Sequence, residues 1–176
     1  MVRKLLLFQL LWLVLAAIPA RAATLTVCDG TATEEHLPLF GYYADNFAKS
    51  EVIIPADLLQ DMVDCPITAM RWYIQSQANT EWGATFRVFV KEVEQRTFVS
   101  QGPFSGPGTI VYEGPLSGSG TEMGVTFDAP YVYQGGNLLI GVYTVDTGTY
   151  SHCHFYGIST SSWDDPATGF YAYNAA

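Results

Sequence analysis

Basic residues are scarce in this chain. Eight Lys and Arg stand against 17 Asp and Glu in 176 residues. Three of the eight, Arg3, Lys4 and Arg21, lie within the first 22 residues, so the remainder carries 5 against 17, a net charge of −12. Nucleic-acid affinity comes largely from basic side chains at phosphates, and attraction to anionic membranes comes from the same groups. Both are excluded as main partners. The excess of carboxylates suits an exported protein that repels its neighbours, and it leaves room for calcium.

Cysteine is also sparse, and its number is odd. Cys28, Cys65 and Cys153 are far apart, with no Cys-x-x-Cys. One disulfide plus a free thiol, or three buried thiols, would both fit. Cys28 with Cys153 is the preferred pair, because it would join segments near the two ends and close a long loop. Long apolar runs are missing beyond the leader. Leu5 to Ile18 is 14 residues of nearly unbroken apolar sequence after Arg3-Lys4, followed by Ala20-Arg21-Ala22. A charged start, a short apolar stretch and a small-x-small site make a secretory signal peptide. It is shorter than the roughly 20 residues a membrane span needs. Cleavage after residue 22 leaves 154 residues, enough for one domain with a real core. No membrane insertion is expected after signal removal. Leu25-Thr26-Val27-Cys28 has the outline of a lipoprotein site, but Val27 is larger than such sites place before the cysteine.

What is abundant is two-residue alternation. Ile67 to Gln75 sets Met70, Trp72 and Ile74 against Ala69, Arg71 and Tyr73. Thr85 to Val93 sets Phe86, Val88 and Val90 against Arg87, Phe89 and Lys91. Met123 to Phe127 alternates in the same way. These are half-buried strands. Leu138 to Val145 is apolar on both faces and reads as a central strand, and Thr24–Cys28, Ser50–Ile54 and Thr109–Glu113 are shorter candidates. Gly102-Pro103, Gly106-Pro107-Gly108, Ser117 to Gly120 and Gly135-Gly136-Asn137 punctuate them. About eight antiparallel strands at this spacing predict an all-β, jelly-roll-like β-sandwich spanning residues 23–176. One short helix is expected near 56–63, with Pro55 and Asp57 at its start and Leu58, Leu59 and Met62 toward the core.

The ordered pieces "TLTVCDGTATEEHLPLFGYYAD", "KSEVIIPADLLQDM", "ITAMRWYI", "WGATFRVFVKEVEQRTF", "TIVYEGPLSGSGTEMGVTFDAPYVYQGGNLLIGVY" and "GTYSHCHFYG" cover most of residues 24–157. Together they resemble the leading module of exported Bacteroides- and Prevotella-type surface proteins. The resemblance implies a secreted, adhesin-like β-sandwich, often at the front of longer cell-surface proteins, and it supplies no catalytic residues. It also implies a further strand after "STSSWDDPATGFYAYN". Without that strand a sheet edge is open, which favours self-association through the edge.

Catalytic signatures are thin. There is no Gly-x-Ser-x-Gly, and Gly135-Gly136-Asn137 precedes a strand rather than a phosphate-binding helix end. Asp164-Asp165 and Glu34-Glu35 are adjacent carboxylates. A hydrolase of the glycosidase type would need such a pair at about 5–9.5 Å. Calcium would need six to eight oxygens, and no Asp-x-Asp-x-Asp-Gly loop is present. Trp163, beside Asp164 and Asp165 and ahead of Tyr171, could stack on a sugar while the carboxylates accept hydroxyl hydrogen bonds. Trp82 sits in the loop "ANTEWGAT" and reads as structural, and Tyr42, Tyr43, Tyr131 and Tyr133 read as sheet packing. In "YSHCHFYG", alternation puts Cys153 and Phe155 on one face and His152, His154 and Tyr156 on the other. That leaves His152 and His154 as a metal pair in need of a third ligand, His36 being the only other histidine. The leading expectation is therefore a non-catalytic secreted or cell-surface module for a glycan or an extracellular protein. A carboxylate-pair hydrolase and a His-x-His metal module are the alternatives.

Overall fold

The computed structural model describes residues 23–41, 47–77, 81–98, 106, 108–118, 120–149, 153–158 and 167–170. Among the described residues nine strands run in chain order: β1 (Ala32–Glu34), β2 (Lys49–Ile54), β3 (Pro66–Gln77), β4 (Glu81–Val93), β5 (Thr109–Gly118), β6 (Glu122–Val132), β7 (Asn137–Asp146), β8 (Cys153–Gly157) and β9 (Ala167–Phe170). They form one sheet in the order β1-β8-β3-β6-β5-β4-β7-β2-β9. Every pairing is antiparallel.

The sheet curls at one joint. β5 and β6 meet only at their hairpin, Ser117 opposite Gly124 and Gly118 opposite Met123. Beyond it β5 pairs with β4 and β6 pairs with β3. The β1-β8-β3-β6 half therefore folds over the β5-β4-β7-β2-β9 half in a sandwich-like arrangement. One core takes side chains from both halves: Phe86, Val88, Val90, Val111, Leu116 and Val142 from one, Ile74, Met123, Val125, Phe127, Cys153 and Phe155 from the other. Trp82 of β4 meets Phe155 of β8 edge to face, ring centroids 6.2 Å apart, and Trp82 is fully buried. Trp82 thus belongs to a strand rather than a loop, because it closes the core between the halves. On the outer side of β4-β7-β2, Ile53, Phe89 and Leu139 make a second small cluster with Val93, Phe98 and Tyr143 against it. That second cover explains why β7 is apolar on both faces.

Four further expectations change. The segment 56–63 makes two 3-10 turns, Ala56–Leu58 and Gln60–Met62, instead of one helix. Leu59 breaks them at φ −118°, ψ 12° while it buries its own side chain, and Leu58 points outward at 42% exposure. Thr24–Cys28 alternates as a strand should, with Leu25 and Val27 half-buried and Thr24 and Thr26 exposed, but among the described residues it joins no ladder. The stretch read as a loop after β8 contains β9, whose Ala167–Phe170 pairs with Lys49–Val52 and covers that edge of β2. Finally, all three cysteines are free thiols. Cys153 lies fully inside the core, where burial pushes its thiol up to about 11.

One end of the sandwich is pinned by the turn between β6 and β7. The Glu92 carboxylate accepts the backbone N–H of Gln134 at 2.8 Å and of Gly136 at 2.6 Å, and the Tyr131 hydroxyl at 3.3 Å. Gly135 sits at φ +106°, which an L side chain rarely adopts. Tyr133, fully buried, donates its hydroxyl to the Gly136 carbonyl at 2.6 Å. Asn137 then ties the 3-10 turns to the sheet, accepting Ala56 N–H at 3.0 Å and donating to the Glu94 carbonyl at 3.0 Å.

Candidate functional site

The candidate site is the outer face of the β1-β8-β3-β6 half. Alternation on β3 sends Met70, Trp72 and Ile74 to the core, so Arg71 and Tyr73 face outward. On β8, Cys153 and Phe155 are buried while His154 is half-buried and Tyr156 exposed. Register then aligns residues that are far apart in the chain. Ile74 pairs with Phe155, and one step along puts Tyr73 beside Tyr156. Tyr156 pairs with Thr33 on β1, and Tyr73 pairs with Glu122 on β6. The result is one cross-strand row, Thr33, Tyr156, Tyr73, Glu122. Tyr73 is 40% exposed and Tyr156 47%.

Ionisable groups flank the two rings. Arg71 Nη1 lies 3.5 Å from Glu122 Oε2, and its strand neighbour is Gly124, which leaves the guanidinium stem uncrowded. On the other flank His154 Nε2 lies 3.9 Å from Glu35 Oε2. The Glu34 carboxylate accepts the N–H groups of Glu35 at 2.9 Å and His36 at 2.7 Å, and the His36 imidazole as well. Partial burial raises the Glu34 pKa, but these hydrogen bonds with His36 and Glu35 outweigh it and hold the carboxyl below its ordinary value. The His36 ring stacks on Phe40 at 4.7 Å.

Of the residues singled out from sequence, His154 and Glu35 lie in this site, with Glu34 and His36 at its edge. His152, Trp163, Asp164, Asp165 and Tyr171 lie outside the described residues. Pairing of β1 with β8 brings His36 and the Glu34-Glu35 pair to the same edge as His154, which sequence could not place. Each of the two carboxylates contacts an imidazole. Among the described residues no three His, Cys, Asp or Glu side chains converge so as to hold a metal ion, and no helix is long and apolar enough to cross a membrane. Tyr73 and Tyr156 went unmarked in the sequence, although each occupied the non-core face of an alternating strand. An aromatic on that face was the available signal.

Two exposed phenol rings on the outer faces of adjacent strands, with acceptors and donors nearby, form a stacking surface. It can hold a ligand that offers an apolar face and peripheral hydroxyls. Comparison with protein-family models, with curated proteins and with solved structures returns no match.

Proposed function

We propose that this domain is a non-catalytic binding module, exported through its leader to the cell surface or beyond, and that it recognises carbohydrate on the Tyr73–Tyr156 face. The observation that carries the reading is the row Thr33, Tyr156, Tyr73, Glu122, in which two exposed rings stand on adjacent strands. Sugar rings stack on phenol faces, while Glu122, Glu35, Arg71 and His154 supply acceptors and donors for ring hydroxyls. The strong acidity of the chain points to neutral or amino-bearing glycans over sulfated or uronate polymers. The curled two-layer sheet supports a jelly-roll-like reading of the fold, and the ordered sequence pieces support a place among leading modules of Bacteroides- and Prevotella-type surface proteins.

The test is a glycan array with the chain from Ala23 onward, followed by titration calorimetry on any glycan retained. Tyr73→Ala and Tyr156→Ala should each weaken binding about tenfold, the equivalent of about 1.4 kcal/mol, and leave the thermal midpoint nearly unchanged because both rings are exposed. Silence across the array, or binding that both substitutions leave intact, overturns the proposal.

A further inference from the structure

A cross-strand row traverses the outer face of the β5-β4-β7-β2-β9 half. Arg87 pairs with Glu113 on one side and with Tyr143 on the other. Tyr143 in turn pairs with Lys49. Cross-strand partners share a face of the sheet, and Tyr143 packs on the outer cluster of Ile53, Phe89 and Leu139. Glu113, Arg87, Tyr143 and Lys49 therefore all face outward. The floor beneath them is fixed. The Phe89 ring lies 6.1 Å from the Tyr143 ring at 60°, and it rests across β7 at Gly141, where an added Cβ would overlap it.

Hydrogen-bond donors converge on this row. Arg87 gives its Nε–H to Glu113 Oε2 at 2.5 Å and also hydrogen-bonds the Tyr143 hydroxyl. The guanidinium fork has more N–H groups than these bonds use, and the bond to Tyr143 turns it toward β7. The Tyr143 oxygen accepts from Arg87, which leaves the phenol proton to be donated. From the other side Lys49 holds its Nζ 5.8 Å from the Tyr143 ring centroid. Two cations thus reach one phenol from opposite strands. Like charges drawn together repel, and an anion shared between them offsets that cost through charge-assisted hydrogen bonds. The Arg87 side chain is 37% exposed, so a ligand reaches it from solvent.

Charge selects the ligand. Three of the five basic residues beyond the leader, Lys49, Arg87 and Lys91, face outward on this half, Lys91 opposite Leu139. The other two, Arg71 and Arg96, pair with Glu122 and Asp57. Within the row Lys49 and Arg87 stand against Glu113, a net +1. Glu51, two residues along β2 from Lys49, is buried at 1% exposure and presents no carboxylate to solvent. A net +1 matches one carboxylate, whereas a polyanion meets the −12 of the chain beyond the leader. We infer that the Arg87–Tyr143–Lys49 row is a binding site for a single carboxylate on a small ligand, a sugar acid or an acylated amino acid. Arg87, the Tyr143 hydroxyl and the Lys49 ammonium are its donors. The site lies on the other half of the sandwich from Tyr73 and Tyr156 and does not depend on carbohydrate binding there.

Titration of the chain from Ala23 to Ala176 at low salt, followed by amide NMR shifts, is the test. The probes are glucuronate and N-acetylphenylalanine, each beside a neutral counterpart, glucose and N-acetylphenylalanine amide. The expected result is saturable binding of an acid, with shifts centred on Lys49, Arg87 and Tyr143, and binding of its neutral counterpart about tenfold weaker or more. Glucuronate alone identifies a sugar acid, and N-acetylphenylalanine alone an amino-acid carboxylate; either supports the site. Arg87→Gln and Lys49→Gln should each weaken binding about tenfold. Should Arg87→Gln fail to fold, Lys49→Gln decides by itself. Silence with both acids overturns the inference. So do equal binding of the neutral counterparts, shifts confined to β3 and β8, and affinity that the substitutions leave untouched.

Discussion

Replacing Glu92 tests how the β6–β7 turn is held. Its carboxylate satisfies two backbone amides across a separation of more than 40 residues, Gln134 at 2.8 Å and Gly136 at 2.6 Å. A hydrogen bond to a charged group contributes about 1.5–3 kcal/mol net, and a neutral one about 0.5–1.5. In Glu92→Gln the remaining oxygen is best placed on the partly buried Gly136 amide. That bond falls from charged to neutral, and the exposed Gln134 amide turns to water. The combined cost is about 2 kcal/mol. In Glu92→Ala the Gly136 amide loses its partner where water reaches it poorly, and Tyr131 loses its acceptor, for about 3 kcal/mol. Urea unfolding measures both. With a slope of about 2 kcal/mol per molar for a domain of this size, the midpoints should drop by about 1 M and 1.5 M at constant slope. Losses below about 0.5 kcal/mol in both variants would refute the claim that this carboxylate organises the turn. Equal losses would move the effect from hydrogen bonding to packing of the side-chain stem.

Two further outcomes follow from the core and its close approaches. The Cys153 thiol, raised by burial to about 11 from an ordinary 9.0, keeps its proton longer in the folded chain than in the unfolded one. Stability is therefore full below pH 9 and falls by a few kcal/mol as pH rises toward 11. Chemical denaturation at stepped pH should show that slope and show it reduced in Cys153→Ala, and an unchanged slope would refute the assignment. Gly148→Ala should cost about 1–3 kcal/mol by overpacking, because its Cβ would meet Ala84 N at 2.5 Å and Gly83 C at 2.6 Å, which are backbone atoms with little room to move. A thermal midpoint within a degree of the parent would contradict that contact.

Much of the fold was legible because alternation is a local signal. β3, β4 and β6 fall where inward apolar side chains recur at every second position, and "YSHCHFYG" divides as alternation requires, Cys153 and Phe155 inward and His154 and Tyr156 outward. The misses share a cause as well. Leu58, Leu59 and Met62 carry a helical look, but seven residues between Pro55 and Val63 give too few hydrogen bonds to hold an α-helix against the pull of a buried Leu59. Thr24–Cys28 has the pattern of a strand but, among the described residues, pairs with none. β9 has little pattern of its own and is a strand because β2 offers it an edge.

The sequence by itself determined an acidic, all-β chain, the inward and outward face of each main strand, and the polar turns between them. Side-chain alternation follows from backbone geometry within one strand, so no distant residue is needed to read it. Only the tertiary structure decided which strands became neighbours. That choice brought β8 against β3, so that Tyr73 and Tyr156 share an outer face, and set His36 and Glu35 on the edge that carries His154. Strand order and register come from pairing residues far apart in the chain. The energies of those contacts have no counterpart in any short stretch of the sequence.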